Sequence, residues 1–186
     1  MISSSAKNSF DKAIIQALKG AMVAASDDTC DVTIEDNPSA ITESKFVMLT
    51  SSSYVFRAFV LIYFEPNEAL REHFARRNRT TAADLTEQDF IDALSESGNM
   101  CSGAFNRDLG RHYPHVGLST PNILDKHCAD SLEVLNASHA QQFRIDINQT
   151  TLFRASLVVC AYANLDFYLP DTVAEDEVSS GELEMF

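Results

Sequence analysis

The 186-residue sequence has few basic residues and no long hydrophobic run. Fourteen Lys and Arg residues stand against 27 Asp and Glu residues, which gives a formal net charge of −13. A surface of this sign repels phosphate groups, so nucleic acid and anionic membranes are excluded as general partners. No stretch of apolar residues is long enough to predict a membrane-spanning helix, and the first residues lack the apolar centre of a secretory signal. We therefore expect a soluble, cytoplasmic protein.

Cysteines are also scarce. The four that occur are far apart and form no C-x-x-C pair, which excludes a disulfide framework and a typical zinc site: Cys30, Cys101, Cys128 and Cys160. We expect them to be reduced thiols in the core. The sequence contains neither a Gly-rich phosphate loop nor a G-x-S-x-G motif, so the usual signatures of covalent hydrolases are absent.

Three histidines and a cysteine lie near one another in sequence and raise the alternative of a metal site: His112, His115, His127 and Cys128. Pro114 argues against a helical His pair, and no carboxylate completes a recognised ligand spacing. We interpret these histidines as loop or core residues, and we predict no metal site in this chain.

The order of sequence patterns predicts a single α+β domain over residues 1–169. Helical periodicity covers residues 6–25 and 86–113, and a further helix is expected to open at Pro66. Strand patterns cover residues 31–35, 45–50, 54–65, 116–124, 143–147 and 152–162, with Pro121 favouring a sheet edge. This arrangement predicts an antiparallel or mixed β-sheet packed with long helices. Residues 170–186 contain six acidic residues and no Lys or Arg, which is typical of a solvated tail.

The helix predicted over residues 86–113 contains an unusual polar face. Thr86 followed by Asp89 is typical of a helix N-terminus. At about 100° per residue, one side of this helix is apolar and predicts a core face: Phe90, Ile91, Leu94, Cys101, Phe105 and Leu109. The opposite side brings Asp92, Glu96 and Asn99 into one arc, with Gly103 one turn beyond.

Small residues surround this polar arc, and most of them are poor helix formers: Ser95, Ser97, Gly98, Ser102 and Gly103. Glycine inside a helix costs about 1 kcal/mol relative to alanine, so a sequence selected only for helix stability would avoid it. We interpret the face as a docking surface from which Glu96 and Asn99 project. The alternative is that the small residues let another element of the same chain pack closely.

The spacing Asp92-x-x-x-Glu96-x-x-Asn99, followed by Pro121, resembles the signature of the CheC, CheX and FliY group of chemotaxis phosphatases. The run from Glu96 to Gly103, Glu-Ser-Gly-Asn-Met-Cys-Ser-Gly, is most similar to the CheX branch. The resemblance implies an α+β fold and, for that branch, a homodimer in which two sheets join edge to edge.

The resemblance also implies a partner, a phosphorylated CheY-type receiver domain. Asn99 would orient the attacking water, and Glu96 would pair with the receiver's lysine. The implied partner-binding residues are Asp92, Gly98, Gly103 and Pro121. Magnesium would come from the receiver, so no cofactor is expected in this chain.

Two other functions stay open at this point. One is a non-catalytic receiver-binding scaffold, similar to a flagellar-switch adaptor. The other is a small-molecule-binding α+β domain. It is disfavoured because the sequence shows no group of polar residues that would form a binding site outside the helix predicted over residues 86–113, which we call the motif helix. A cluster of basic residues in the helix after Pro66 is interpreted as a solvated face that balances local acids, with a steering surface for an acidic partner as its alternative: Arg71, His73, Arg76, Arg77 and Arg79.

Overall fold

The computed structural model describes residues 1–37 and 41–170. The acidic tail predicted over residues 170–186 therefore lies outside the described residues from position 171 onward. Three α-helices are α1 (Ser4–Ala21), α2 (Glu68–Arg77) and α3 (Glu87–Gly110). Seven strands are β1 (Cys30–Glu35), β2 (Lys45–Ser52), β3 (Phe56–Phe64), β4 (Gly117–Leu118), β5 (Asn122–Asp125), β6 (His139–Ile147) and β7 (Thr150–Ala161).

All seven strands join one antiparallel sheet, which confirms the predicted α+β class. The order is β1-β6-β7-β3-β2, and both β4 and β5 pair with the outer side of β2. The predicted strand over residues 116–124 is therefore two short strands, with Pro121 in the gap between them. Proline cannot donate a hydrogen bond to a ladder, so its place at the sheet edge agrees with the prediction.

The helices cover one face of the sheet and bury the main core against it. Phe10 of α1 contacts Phe105 of α3 and Phe56 of β3, with ring centroids 6.5 and 5.5 Å apart. α3 also packs on β2, whose Val47 and Leu49 are almost fully buried. Successive side chains of a strand point to opposite faces of the sheet, so every second residue points toward the helices.

The connection between β6 and β7 is a tight turn whose backbone conformation is visible in the structure. The turn between β6 and β7 contains Asn148 and Gln149 with φ values of 50° and 66°, a pair of left-handed residues that suits a tight hairpin. The predicted closing hairpin is confirmed.

The prediction that α2 opens at Pro66 is wrong, because Asn67 caps the helix by accepting a hydrogen bond from the Leu70 amide at 3.0 Å.

The second face of the sheet carries a smaller apolar cluster. Its buried members are Ile41, Phe46, Leu61 and Tyr63. Two short 3₁₀ turns, Lys126–Ala129 and Leu132–Leu135, lie over this cluster and contribute Ala129 and Leu132 to it.

All four cysteines are free thiols. Cys101 and Cys160 are buried, as expected for core thiols, whereas Cys128 is exposed on the first 3₁₀ turn and corrects that expectation. Within residues 1–37 and 41–170, no three His, Cys, Asp or Glu side chains are grouped to hold a metal ion. No helix of the described chain is both long enough and apolar enough to cross a bilayer.

Candidate functional site

α3 begins at a reciprocal cap, as the sequence predicts. The Thr86 hydroxyl accepts a hydrogen bond from the Asp89 amide at 3.1 Å, and the Asp89 carboxylate accepts one from the Thr86 amide at 3.3 Å. A carboxylate in the first turn also interacts favourably with the helix dipole. The cap sets the start of a 24-residue helix, the longest in the described chain.

The buried flank of α3 fixes the rotation of the helix. Five of its apolar residues have exposures of 2% or less: Phe90, Leu94, Cys101, Phe105 and Leu109. Burying a large apolar side chain is worth about 1.5–3 kcal/mol, so turning this flank toward water would be costly. The residues opposite are therefore held in one outward direction.

Four of the predicted site residues lie together on that outward face: Asp92, Glu96, Asn99 and Gly103. All four are exposed. The side chains of Glu96 and Asn99 make no hydrogen bond or ion pair with any other residue of the described ranges. Asp92 accepts a hydrogen bond from Gln88 Nε2 at 2.8 Å, and a Cβ atom added at Gly103 would meet no atom within 4 Å. We refer to these four residues as the outer arc.

Gly98 does not belong to the outer arc. It is buried, and a Cβ atom at this position would lie 3.3 Å from Val47 Cγ1 and 3.6 Å from Leu49 Cδ2. Its missing side chain therefore lets α3 approach β2 closely, so the intramolecular alternative explains this glycine. Ser97 and Ser102 are buried as well, which narrows the surface that the sequence assigned to docking.

Pro121 lies beneath α3 and outside the outer arc. It is half-buried, and its Cγ would be 3.6 Å from a Cβ atom at Gly98. The structure thus brings the proline of the motif to the inner side of the helix, while the acid and the amide point outward. In this position Pro121 supports the helix from the sheet edge.

Arg77 contacts the motif helix, a role that its sequence position does not indicate. Its Nη1 donates to Ser97 Oγ at 2.6 Å and to the Ala21 carbonyl at 3.2 Å, and its Nη2 lies 2.8 Å from Met100 Sδ. This guanidinium joins the last turns of α1 and α2 to the middle of α3. It also holds Met100, the residue next to Asn99, at the border of the outer arc.

The other basic residues of α2 pair with nearby acids. Arg71 contacts Glu87 at 3.2 Å, and Arg76 contacts Asp28 at 2.8 Å. These pairs agree with the interpretation of local charge balance. Predicted as solvated, His73 is instead buried, and burial lowers the pKa of its imidazole, so the neutral form is favoured there.

The outer arc combines a carboxylate with an amide. Residues three apart on a helix are about 4.5 Å apart along its axis, so both groups can reach one small target. The carboxylate of Glu96 can accept hydrogen bonds from a cation, and the amide of Asn99 can both donate and accept. Burial raises the pKa of the Cys101 thiol, on the opposite flank of α3, to about 12, so this group stays protonated and is not a nucleophile.

No protein-family model and no curated protein matches this sequence. Solved structures nevertheless share its fold. A CheC-like superfamily protein from Shewanella sp. PV-4 superposes with a TM-score of 0.57 at 11% identity, over 82% of this chain and 98% of that chain.

Two further structures extend the comparison. CheX from Borrelia burgdorferi, solved in a complex with CheY, BeF3 and Mg, gives a TM-score of 0.58 at 11% identity over 82% of this chain and 96% of that chain. The FliM middle domain of Vibrio alginolyticus gives 0.50 at 8% identity over 83% and 92%. The fold expected from the resemblance to CheC and CheX proteins is thus confirmed.

Proposed function

We propose that this protein is a CheX-like phosphatase that removes the phosphoryl group from the aspartyl-phosphate of a CheY-type receiver domain. The observation that carries the proposal is that the side chains of Glu96 and Asn99 are exposed, one turn apart, and without a hydrogen bond or ion pair to the rest of the described chain. The fold shared with CheX, one example of which was solved with CheY, supports the same partner.

The proposed reaction requires few catalytic groups from this chain. An aspartyl-phosphate is an activated acyl phosphate, and phosphoryl transfer depends mainly on positioning and charge neutralisation. In the proposed mechanism the Asn99 amide enters the receiver's site and holds a water molecule in line with the phosphorus. The water oxygen bonds to phosphorus, and the bond between phosphorus and the aspartate oxygen breaks. Inorganic phosphate leaves, and the receiver's aspartate is again a free carboxylate. Magnesium bound by the receiver would neutralise the phosphoryl oxygens.

Glu96 would fix the approach by pairing with the lysine of the receiver's site. Asp92 and Gly103 lie at the two ends of the outer arc, so they would border the contact. The open space at Gly103 would let the receiver's backbone come close to α3. Gly98 and Pro121 would act from below, by holding the helix against β2 and the sheet edge.

The homodimer implied by the resemblance belongs to the same proposal. β1 ends the strand order, and its outer side pairs with no other strand among the residues described. A free strand edge favours pairing with another copy. The opposite edge is interrupted at Pro121, so β1 is the better edge for joining two sheets. A cytoplasmic location follows from the proposed receiver partner.

The proposal is tested by following the decay of the phosphoryl group on a CheY-type receiver in the presence of magnesium. A substoichiometric amount of this protein should accelerate phosphate release with repeated turnover. The receiver's own decay supplies the baseline. A rate that equals this baseline, at concentrations where the two proteins bind each other, would reject the phosphatase.

The likeness to the FliM middle domain favours one alternative, a receiver-binding adaptor without catalysis. In that case the outer arc would bind the receiver and leave its phosphate in place. Binding measured with a beryllofluoride-treated receiver, together with unchanged phosphate decay, would select the adaptor.

A further inference from the structure

A cavity of about 780 Å³ lies on the sheet face opposite α3. Strands β6, β7 and β3 form its floor, and the two 3₁₀ turns form its wall. Small-molecule sites in proteins typically have volumes of about 300–1,000 Å³ and apolar linings with a few placed polar groups. The volume and the position of this cavity fit such a site.

The floor is apolar with one unsatisfied acceptor. Ala140 and Val158 line it together with Tyr63 and Gln142. Gln142 Oε1 is buried and has no hydrogen-bond partner, whereas the Tyr63 hydroxyl is bonded to Ser156. A buried carbonyl oxygen without a partner is unfavourable, and a hydrogen-bond donor on a bound ligand would satisfy it.

The rim of the cavity is acidic. Glu35, Asp130 and Glu133 line it, and none of the three carboxylates pairs with a cation elsewhere in the described ranges. Lys126 is the one basic residue in the lining, and its Nζ donates a hydrogen bond to the Ile41 carbonyl oxygen at 2.5 Å. The lining therefore has more carboxylates than ammonium groups, and its net negative charge favours a positively charged ligand.

We propose that this cavity binds an organic cation, an amine attached to a flat apolar body, with the amine toward Asp130 and Glu133 and its N–H groups within reach of Gln142. The sequence does not show this set, because its members come from positions 35 to 158 and meet only in the fold. The site is separate from the outer arc, which lies across the sheet, so it does not depend on the proposed phosphatase.

Three probes of one shape test the charge preference on the full chain: tryptamine (cation), tryptophol (neutral) and indole-3-acetate (anion). Titrations followed by ¹H–¹⁵N NMR should give saturable shifts at Ala140, Gln142 and Val158. We expect tryptamine to bind at least about fivefold more tightly than tryptophol, as partly exposed charge pairs allow, and indole-3-acetate to bind most weakly. Equal affinities for the three probes, or tryptamine shifts confined to other residues or absent, would overturn the proposal.

Two variants locate the site. Ala140→Phe fills the floor from an exposed position and should weaken tryptamine binding at least about tenfold while the unfolding midpoint is unchanged. Asp130→Asn with Glu133→Gln should remove the preference for tryptamine over tryptophol. Glu72→Gln, an exposed acid on α2, is the matched control and should leave both affinities unchanged. Binding to Ala140→Phe as tight as to the unmodified chain would show that the cavity is not the site.

Discussion

Gly98 and Pro121 meet beneath the motif helix, where a Cβ atom on the glycine would lie 3.6 Å from the proline Cγ. The two residues are separated in sequence by a helix end, a loop and β4, yet they form one contact between α3 and the sheet edge. Their contact explains how a single motif can contain both outward and inward residues. The outward ones can meet a partner, and the inward ones hold the helix in place.

Substitution by valine should destabilise the protein at Gly98 but not at Gly103. Gly98→Val would drive a branched side chain into Val47 and Leu49, and should lower the free energy of unfolding by about 1–3 kcal/mol. Gly103→Val enters open space and should change it by less than about 0.5 kcal/mol. Urea denaturation of both variants measures the difference. Equal effects would contradict the assignment of Gly98 to the inner side.

Replacing Arg77 by lysine should destabilise the protein. The guanidinium contacts Ser97, the Ala21 carbonyl and Met100 at once, and an ammonium group cannot reproduce that fork. We expect Arg77→Lys to lower the free energy of unfolding by about 1–3 kcal/mol. Arg79→Lys, at an exposed position two residues later, is the control and should be neutral. Similar denaturation midpoints for the two variants would show that the fork contributes little.

Asp28 should make stability depend on pH. Burial alone would raise the pKa of this carboxyl, but hydrogen bonds from Asn148, the amides of Ala24 and Ala25, and Arg76 outweigh it and lower the pKa to about 2 from 3.8. Because the folded pKa is the lower one, the stabilisation is complete above the unfolded value and is lost as the pH falls toward 2. Its size near neutral pH is about 2 kcal/mol.

The pH dependence is measured by denaturing the unmodified chain and Asp28→Asn between pH 7 and pH 3. The difference in unfolding free energy should be constant down to about pH 5 and should fall by about half at pH 3. Asp27→Asn, whose side chain is 82% exposed, serves as the control and should show little difference at any pH. A difference for Asp28→Asn that stays the same at pH 3 would contradict the lowered pKa.

Thiol reactivity should single out Cys128. It is the exposed cysteine, whereas burial raises the pKa of Cys30 to about 11 and of Cys101 to about 12. The thiolate is the reactive form, so these two should react slowly with Ellman's reagent at pH 8. We expect one fast equivalent per chain, which Cys128→Ser should abolish. A fast equivalent that persists in that variant would assign it to another cysteine.

Local patterns were sufficient to predict much of this fold. The start of α3 follows from Thr86 and Asp89 because the cap involves only neighbouring residues. The class of fold follows from the alternation of helical and strand periods. Pro66 was misplaced because Asn67 offers a better cap one residue later, and a competition between adjacent caps is decided by side-chain geometry.

The candidate site was predicted in part, for a reason of geometry. Periodicity identifies the direction of Glu96 and Asn99 but not how far neighbouring elements extend around α3. β2 covers Gly98, and Arg77 reaches Ser97, so the exposed surface is narrower than the docking surface predicted from the polar arc and its small neighbours. Contacts of this kind depend on tertiary packing, which no spacing along α3 records.

The central claim is tested most directly by the rate of phosphate release from a phosphorylated CheY-type receiver with Asn99→Ala. Loss of the amide should lower the accelerated rate at least about 100-fold, as expected when a positioned water is no longer held. Asn8→Ala, an exposed asparagine on α1, is the matched control and should keep the full rate. Acceleration by Asn99→Ala equal to that of the unmodified chain would contradict the assigned role of the outer arc.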